Sequence, residues 1–144
     1  MLKFSEIPIT LNTFIYNNIA SDTLQVGYDG VDFTPIKNQF VRVKHINTVT
    51  EREALTGTDV GIEVTGFTRF QIYDKDGVGS DNAVATSQIA ETITGLYFNK
   101  TFNGTNITIR THGTPQLENI GQSEEFQGYY LGLLAIPYVA TVGI

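Results

Sequence analysis

The stretch VGIEVTGFTRFQIYD, residues 60–74, alternates with a period of two from end to end. Ile62, Val64, Gly66, Thr68, Phe70 and Ile72 share one face; Glu63, Thr65, Phe67, Arg69, Gln71 and Tyr73 share the other. The first face reads as a core surface. The second carries two aromatics among its polar groups, more than plain solvation requires, so both faces are expected to be at least partly covered.

On the C-terminal side, DKDGVGSD (74–81) is a turn, and Ser80 is placed to cap a helix over 81–97. Ala85, Ile89, Ile93, Leu96 and Tyr97 give that helix an apolar stripe. On the N-terminal side, residues 39–46 alternate as a strand, with Val41, Val43 and His45 opposite Arg42, Lys44 and Ile46. Between them, 47–59 is polar and contains Thr-Gly-Thr-Asp, a loop or the tip of a long hairpin. Further out, Ile7, Leu11, Phe14, Ile15 and Ile19 line one face of a helix over 6–20. Ser5 is its candidate cap, and Pro8 is confined to the first turn. A short strand over 23–28 ends at Asp29-Gly30, and Pro35 enforces extended backbone at Thr34. Beyond the second helix, NKTFNGTN is a turn region around a short hairpin, and Ile107 and Ile109 begin a strand. A polar loop runs to about 124, and a final strand covers 126–140. The order α-β-β-β-α-β-β lacks strict βα alternation. It therefore predicts an α+β fold, a mainly antiparallel β-sheet packed by two α-helices, in a single domain over 1–144.

A chain of 144 residues, 41% hydrophobic and 17% charged, can bury a sizeable core. Nine Lys+Arg against fifteen Asp+Glu give a net charge of −6, which argues against a surface devoted to nucleic acid. There is no cysteine, so disulfides, thiolate nucleophiles and zinc-thiolate sites are excluded. The N-terminus lacks the apolar run of a signal peptide, and the longest apolar stretch, LGLLAIPYVA (131–140), is too short for a membrane helix. A soluble protein made in the cytoplasm is expected. Without export, the sequons at Asn99, Asn103 and Asn106 read as turn and strand chemistry.

No chemistry-bearing motif is complete. Gly77-x-Gly79 lacks the third glycine of a dinucleotide fingerprint, and three aspartates beside it would repel a pyrophosphate. As a calcium loop, Asp74-x-Asp76 fails at Val78 and at Ala85, where a bidentate Glu belongs. His45 and His112 cannot form a metal site alone, no Gly-x-Ser-x-Gly elbow presents a serine, and Glu124-Glu125 read as a solvated turn. No catalytic residue, metal or cofactor is expected. A small ligand- or cation-binding domain using Asp74–Asp81 is the alternative from another functional class.

One local feature stands out. Lys37, Arg42, Lys44 and Arg52, four of the nine cations, fall within KNQFVRVKHINTVTER (37–52). Nucleic acid would need aromatic platforms, and Phe40 is the only aromatic between 34 and 66. A solvent-facing strand and a surface for another subunit remain, since an acidic protein with a basic strand is self-complementary.

The ordered landmarks DFTPIKNQFVRVKHI, EALTGTDVG, GFTRFQIYDKDGVGSDNAVATSQIAETI, NGTNITIR and FQGYYLGLLAIPYVA resemble those of phage tail terminator (tail completion) proteins. The matching positions are Phe33, Pro35, Phe40, Val41, Arg42, Val43, Leu55, Gly57, Ile72, Gly77, Gly79, Ile136, Pro137 and Tyr138, within about 8–140. The second helix departs from the family pattern in being polar and Thr-containing. The resemblance implies a structural virion protein, not an enzyme, that forms a hexameric ring on the head-proximal end of a phage tail tube. There it stops polymerisation and presents a surface to the head or neck connector, while DNA passes only through the lumen. It implies a homo-oligomer touching the tail tube protein, assembled in the host cytoplasm, with no membrane partner. Arg42, Lys44, Thr50, Glu51, Arg52, Glu53, Leu55, Phe67 and Arg69 would form the subunit or tube interface, with 47–59 as the reaching loop. Other phage neck or head-completion proteins share the size, acidity and element mixture.

Overall fold

The alternating stretch lies near the middle of a seven-stranded, mostly antiparallel sheet. In the computed structural model, which describes residues 4–21, 23–56, 59–77, 81–97, 99–111 and 113–143 (49–60 by backbone alone), the chain runs α1 (Glu6–Asn18), β1 (Leu24–Tyr28), β2 (Gln39–Thr56), β3 (Asp59–Lys75), α2 (Asn82–Tyr97), β4 (Thr101–Gly104), β5 (Ile107–Thr111), β6 (Gln116–Gln122) and β7 (Tyr129–Gly143). Spatially the order is β1-β2-β3-β7-β5-β4, with β6 pairing β7 beside β5. Among the described residues only the β1–β2 pair is parallel. The fold is α+β.

Period-two burial follows the sequence closely. Val64, Phe70 and Ile72 of β3 join Val41 and Val43 of β2 and Leu134, Ile136 and Ala140 of β7 in one buried cluster. Ile7, Leu11 and Ile15 of α1 and Ala90, Ile93 and Tyr97 of α2 belong to the same cluster. Phe14 meets Tyr97 and Phe102 edge to face, with centroids 5.1 and 4.7 Å apart. Gly66 is needed in this layer. A Cβ there would strike the Ile46 carbonyl and come within 2.8 Å of the Tyr138 hydroxyl, which donates to Asn47 Oδ1 at 2.6 Å.

Several expectations are corrected. Residues 47–56 are not a loop; β2 runs through them and pairs with β3 out to Thr56↔Asp59, so the long hairpin is the form adopted. Two shifts of register, at Asn47/Val49 and Arg52/Ala54, break the alternation there. The polar loop before 124 contains β6, exposed at almost every position and held by backbone pairing to β7, so it carries no apolar pattern. A separate β4 precedes β5, giving two strands more than the expected order. The last strand spans 129–143, displaced from 126–140, because the chain turns through Gly128 at φ 81°. Pro137 falls between the β6-paired and β5-paired parts of β7, where a missing N–H is tolerated.

Ser5 has helical dihedrals (φ −60°, ψ −22°) and makes no capping bond. Ser80 lies outside the described residues; at α2 the Asp81 carboxylate accepts from Ala83 N–H at 2.9 Å instead. Asp74 is buried: it accepts from Gln39 Nε2 at 3.1 Å and Asn82 Nδ2 at 2.7 Å, tying the sheet to the start of α2. Among the described residues no helix is long and apolar enough to cross a membrane.

Candidate contact surface on the open face of the sheet

Alternation along β2 and β3 sends Arg42, Lys44, Arg69 and Gln71 to the face away from the core cluster. Register sets Arg42 opposite Gln71 and Lys44 directly opposite Arg69. With Gly27, Asp29 and Glu125 they line a cleft of about 200 Å³. Two cations facing each other across an antiparallel pair are destabilising by a few tenths of a kcal/mol or more, on the order of other cross-strand effects. Arg69 is half-buried, and its Nε finds no partner among the described residues. The cleft is thus a place where the fold accepts unfavourable electrostatics.

Arg42 differs from its neighbours. Its Nη1 donates to Glu125 Oε1 at 2.6 Å, and its guanidinium carbon lies 5.6 Å from the centre of the Phe126 ring. Both partners come from the turn before β7. That turn is held by Ser123 Oγ accepting from Phe126 N–H at 3.0 Å and by Ser123 N–H donating to Tyr129 O at 2.8 Å. Phe126 wedges against Phe33, Phe40 and Tyr73, with centroids at 6.5, 5.2 and 5.2 Å. Phe40 in turn stacks on Tyr73 at 4.5 Å, and both are essentially inaccessible although they lie on the open face. Burial, then the Glu125 charge, raises the Tyr73 hydroxyl above its ordinary value, with Arg42 opposing. An aromatic lid therefore covers one end of this face, and the charged cleft begins at its rim.

Of the residues expected to form an interface, the structure brings Arg42, Lys44 and Arg69 together. Phe67 lies in the next row, paired with Ile46 and half-buried. Thr50, Glu51, Arg52, Glu53 and Leu55 lie on the distal half of β2, and their side chains are outside the described residues. Leu55 sits eleven positions from Lys44, about 36 Å along an extended strand. The set is a strip, not a cluster. The expected solvated turn at Glu124-Glu125 contributes Glu125 to Arg42, a partner 83 residues away that no spacing could reveal. Asp29 and Gln71 also line the cleft and Phe126 stands at its rim, and no motif in the sequence marks them.

On the core face, His45 is half-buried between Asn12 Oδ1 (2.7 Å from Nε2) and Thr68 Oγ1 (2.9 Å from Nδ1). A neutral ring donating from Nε2 and accepting at Nδ1 satisfies both. Burial pulls its pKa down to about 4, against a smaller upward pull from Asp29. Burial likewise pushes Tyr138 up to about 12. Among the described residues no three His, Asp or Glu side chains gather as metal ligands.

No family model and no curated protein matches the chain. Solved structures do share the architecture. One, a protein without a functional name, superposes with a TM-score of 0.68 over 96% of this chain and 95% of its own, at 16% sequence identity. At that identity the likeness concerns the fold alone.

Proposed function

We propose that this chain is a structural phage protein of the tail-terminator kind. In this reading it assembles as a ring, in the expected case a hexamer, on the head-proximal end of the tail tube and offers its other side to the neck. The chemistry is adhesive, and both helices serve to stiffen one face of a sheet whose other face and edges meet protein.

The observation that carries this reading is a sheet left open at both sides, together with the landmark order that resembles the family. Strands β1 and β6 each pair on one side only among the described residues, and they lie at opposite edges. Two different complementary edges repeated head to tail close into a ring when the rotation between copies closes, whereas a self-complementary patch stops at a dimer. The hairpin of β2 and β3 extends well beyond β1, whose pairing ends at Tyr28↔Val43. There β3 stays paired to β7 out to Gly61↔Gly143, so among the described residues β2 becomes the edge of the sheet, a further stretch of edge for a neighbour or the tube. The Asp74–Asp81 cation loop gains no support, since Asp74 is engaged by Gln39 and Asn82.

The test is addition of purified protein to uncapped tail tubes in the presence of free tube subunits. Arrest of elongation with the protein at one tube end is expected. Continued elongation with no protein at the ends would remove the proposal.

A further inference from the structure

We infer that the free edge of β6 pairs, antiparallel, with the free edge of β1 on a second copy of this chain, and that this contact delivers Glu118 to the cationic cleft. The inference rests on the ring reading and specifies its subunit contact.

Register supplies the first argument. Successive pairings place Gly27, Arg42, Gln71, Leu133 and Glu118 in one row across β1, β2, β3, β7 and β6, all on the open face. The adjacent row, on the core face, runs Tyr28, Val43, Phe70, Leu134, Leu117. Extending the sheet by one copy without stagger repeats these rows, so Glu118 arrives beside Gly27 of the next copy and Leu117 beside its Tyr28. Strand direction agrees. With β2 and β7 pointing one way, β1 runs with them and β6 against them, so the new pair is antiparallel.

Chemistry supplies the second argument, separately on each face. On the open face the Phe33 ring lies over Gly27, 2.7 Å from where a Cβ would sit, so the exposed Glu118 reaches past that ring toward exposed Lys44 at the cleft where Lys44 and Arg69 oppose each other. Strand β6 (QLENIGQ) carries Glu118 and no Lys or Arg, and in the cleft Arg42 is already paired with Glu125, so Lys44 and Arg69 are the cations left for the incoming carboxylate. On the core face, Leu117 is 39% exposed in the isolated chain and lines a groove against α2 with Leu134 and Ala90. Tyr28 and Val26 of the next copy are the apolar neighbours that register brings to that side. Main-chain bonds then give affinity, and the two faces give specificity.

The absence of native cysteine makes the test direct. Asp29, one position past β1, and Gln116 are both exposed, and within one chain four strand spacings, about 19 Å, separate their edges. They cannot form a disulfide internally. Oxidation of the Asp29→Cys/Gln116→Cys variant is expected to give a ladder of covalent multimers that ends at a closed species of the same mass as the native assembly. A native ring by mass with no such disulfide would overturn the edge contact and leave the ring reading intact. A ladder that continues without closure would keep the contact and overturn the ring. A chain that neither cross-links nor associates at any concentration overturns the contact. Independently, Glu118→Lys or Lys44→Glu should weaken self-association about tenfold or more, and the two together should restore it. Unchanged association in either single variant would also sink the inference.

Discussion

The two faces of the sheet are built on opposite principles. The face toward α1 and α2 is continuous: apolar rows run across β2, β3 and β7 and close against Ile7, Leu11, Ile93 and Tyr97. The open face is patchy, with an aromatic lid at one end, the Arg42–Lys44–Arg69 cleft at its rim, and half-buried Phe67 and Ile46 beyond. The first face holds the chain together. The second carries the opposed cations Lys44 and Arg69, an unfavourable placement that the proposed subunit contact would relieve.

The contrast has a scale. Phe70 is fully buried on the core face, so Phe70→Ala should cost about 3–5 kcal/mol in urea unfolding, by lost transfer energy and the cavity left behind. A cost under about 1 kcal/mol would show that the two faces are not so different.

Next comes His45, a histidine set into the covered side. Its folded pKa of about 4 lies below the unfolded value near 6.5, so the unfolded chain binds the proton first. Stability is fully present above pH 6.5 and falls as pH drops toward 4, by about 3 kcal/mol at most. Denaturation of the native chain and of His45→Gln, compared at pH 7.5 and pH 4, isolates this part from the carboxylates. Equal pH dependence in both would contradict the burial assigned to the ring.

On the open face, Phe126→Ala should cost about 2 kcal/mol, less than Phe70→Ala because Phe126 is half-buried. Removing Glu125 or Arg42 should cost no more than about 1 kcal/mol, since the pair is largely solvated. Lys44→Glu should change folding stability by no more than about 0.5 kcal/mol while disrupting assembly. That separation of folding from association is the sharpest form of the comparison. A large loss of folding stability on Lys44→Glu would make the cleft part of the fold.

What could be read in advance follows from how each face is held. Strands β2 and β3 and helix α2 bury alternate or periodic side chains, so Val41, Val64, Phe70 and Ile93 announce them. Strand β6 is held chiefly by backbone pairing to β7, with Thr86 Oγ1 donating to Asn119 Oδ1 at 3.3 Å, and QLENIGQ carries no periodic apolar signal. The distal part of β2 hides its strand behind two register shifts. In the site, Arg42, Lys44 and Arg69 were legible because strand parity puts them on one side. Glu125 and Phe126 were not, since a turn folded across the sheet brings them there from the far end of the chain.

Absolute mass in solution, by light scattering on a sizing column with and without purified uncapped tail tubes, tests the central claim most directly. The account predicts a particle of about six times 15.9 kDa, formed free or on the tube end, and lost in Lys44→Glu while that variant stays folded. A stable dimer, or a chain that remains at 15.9 kDa and leaves tube ends uncapped, would contradict it.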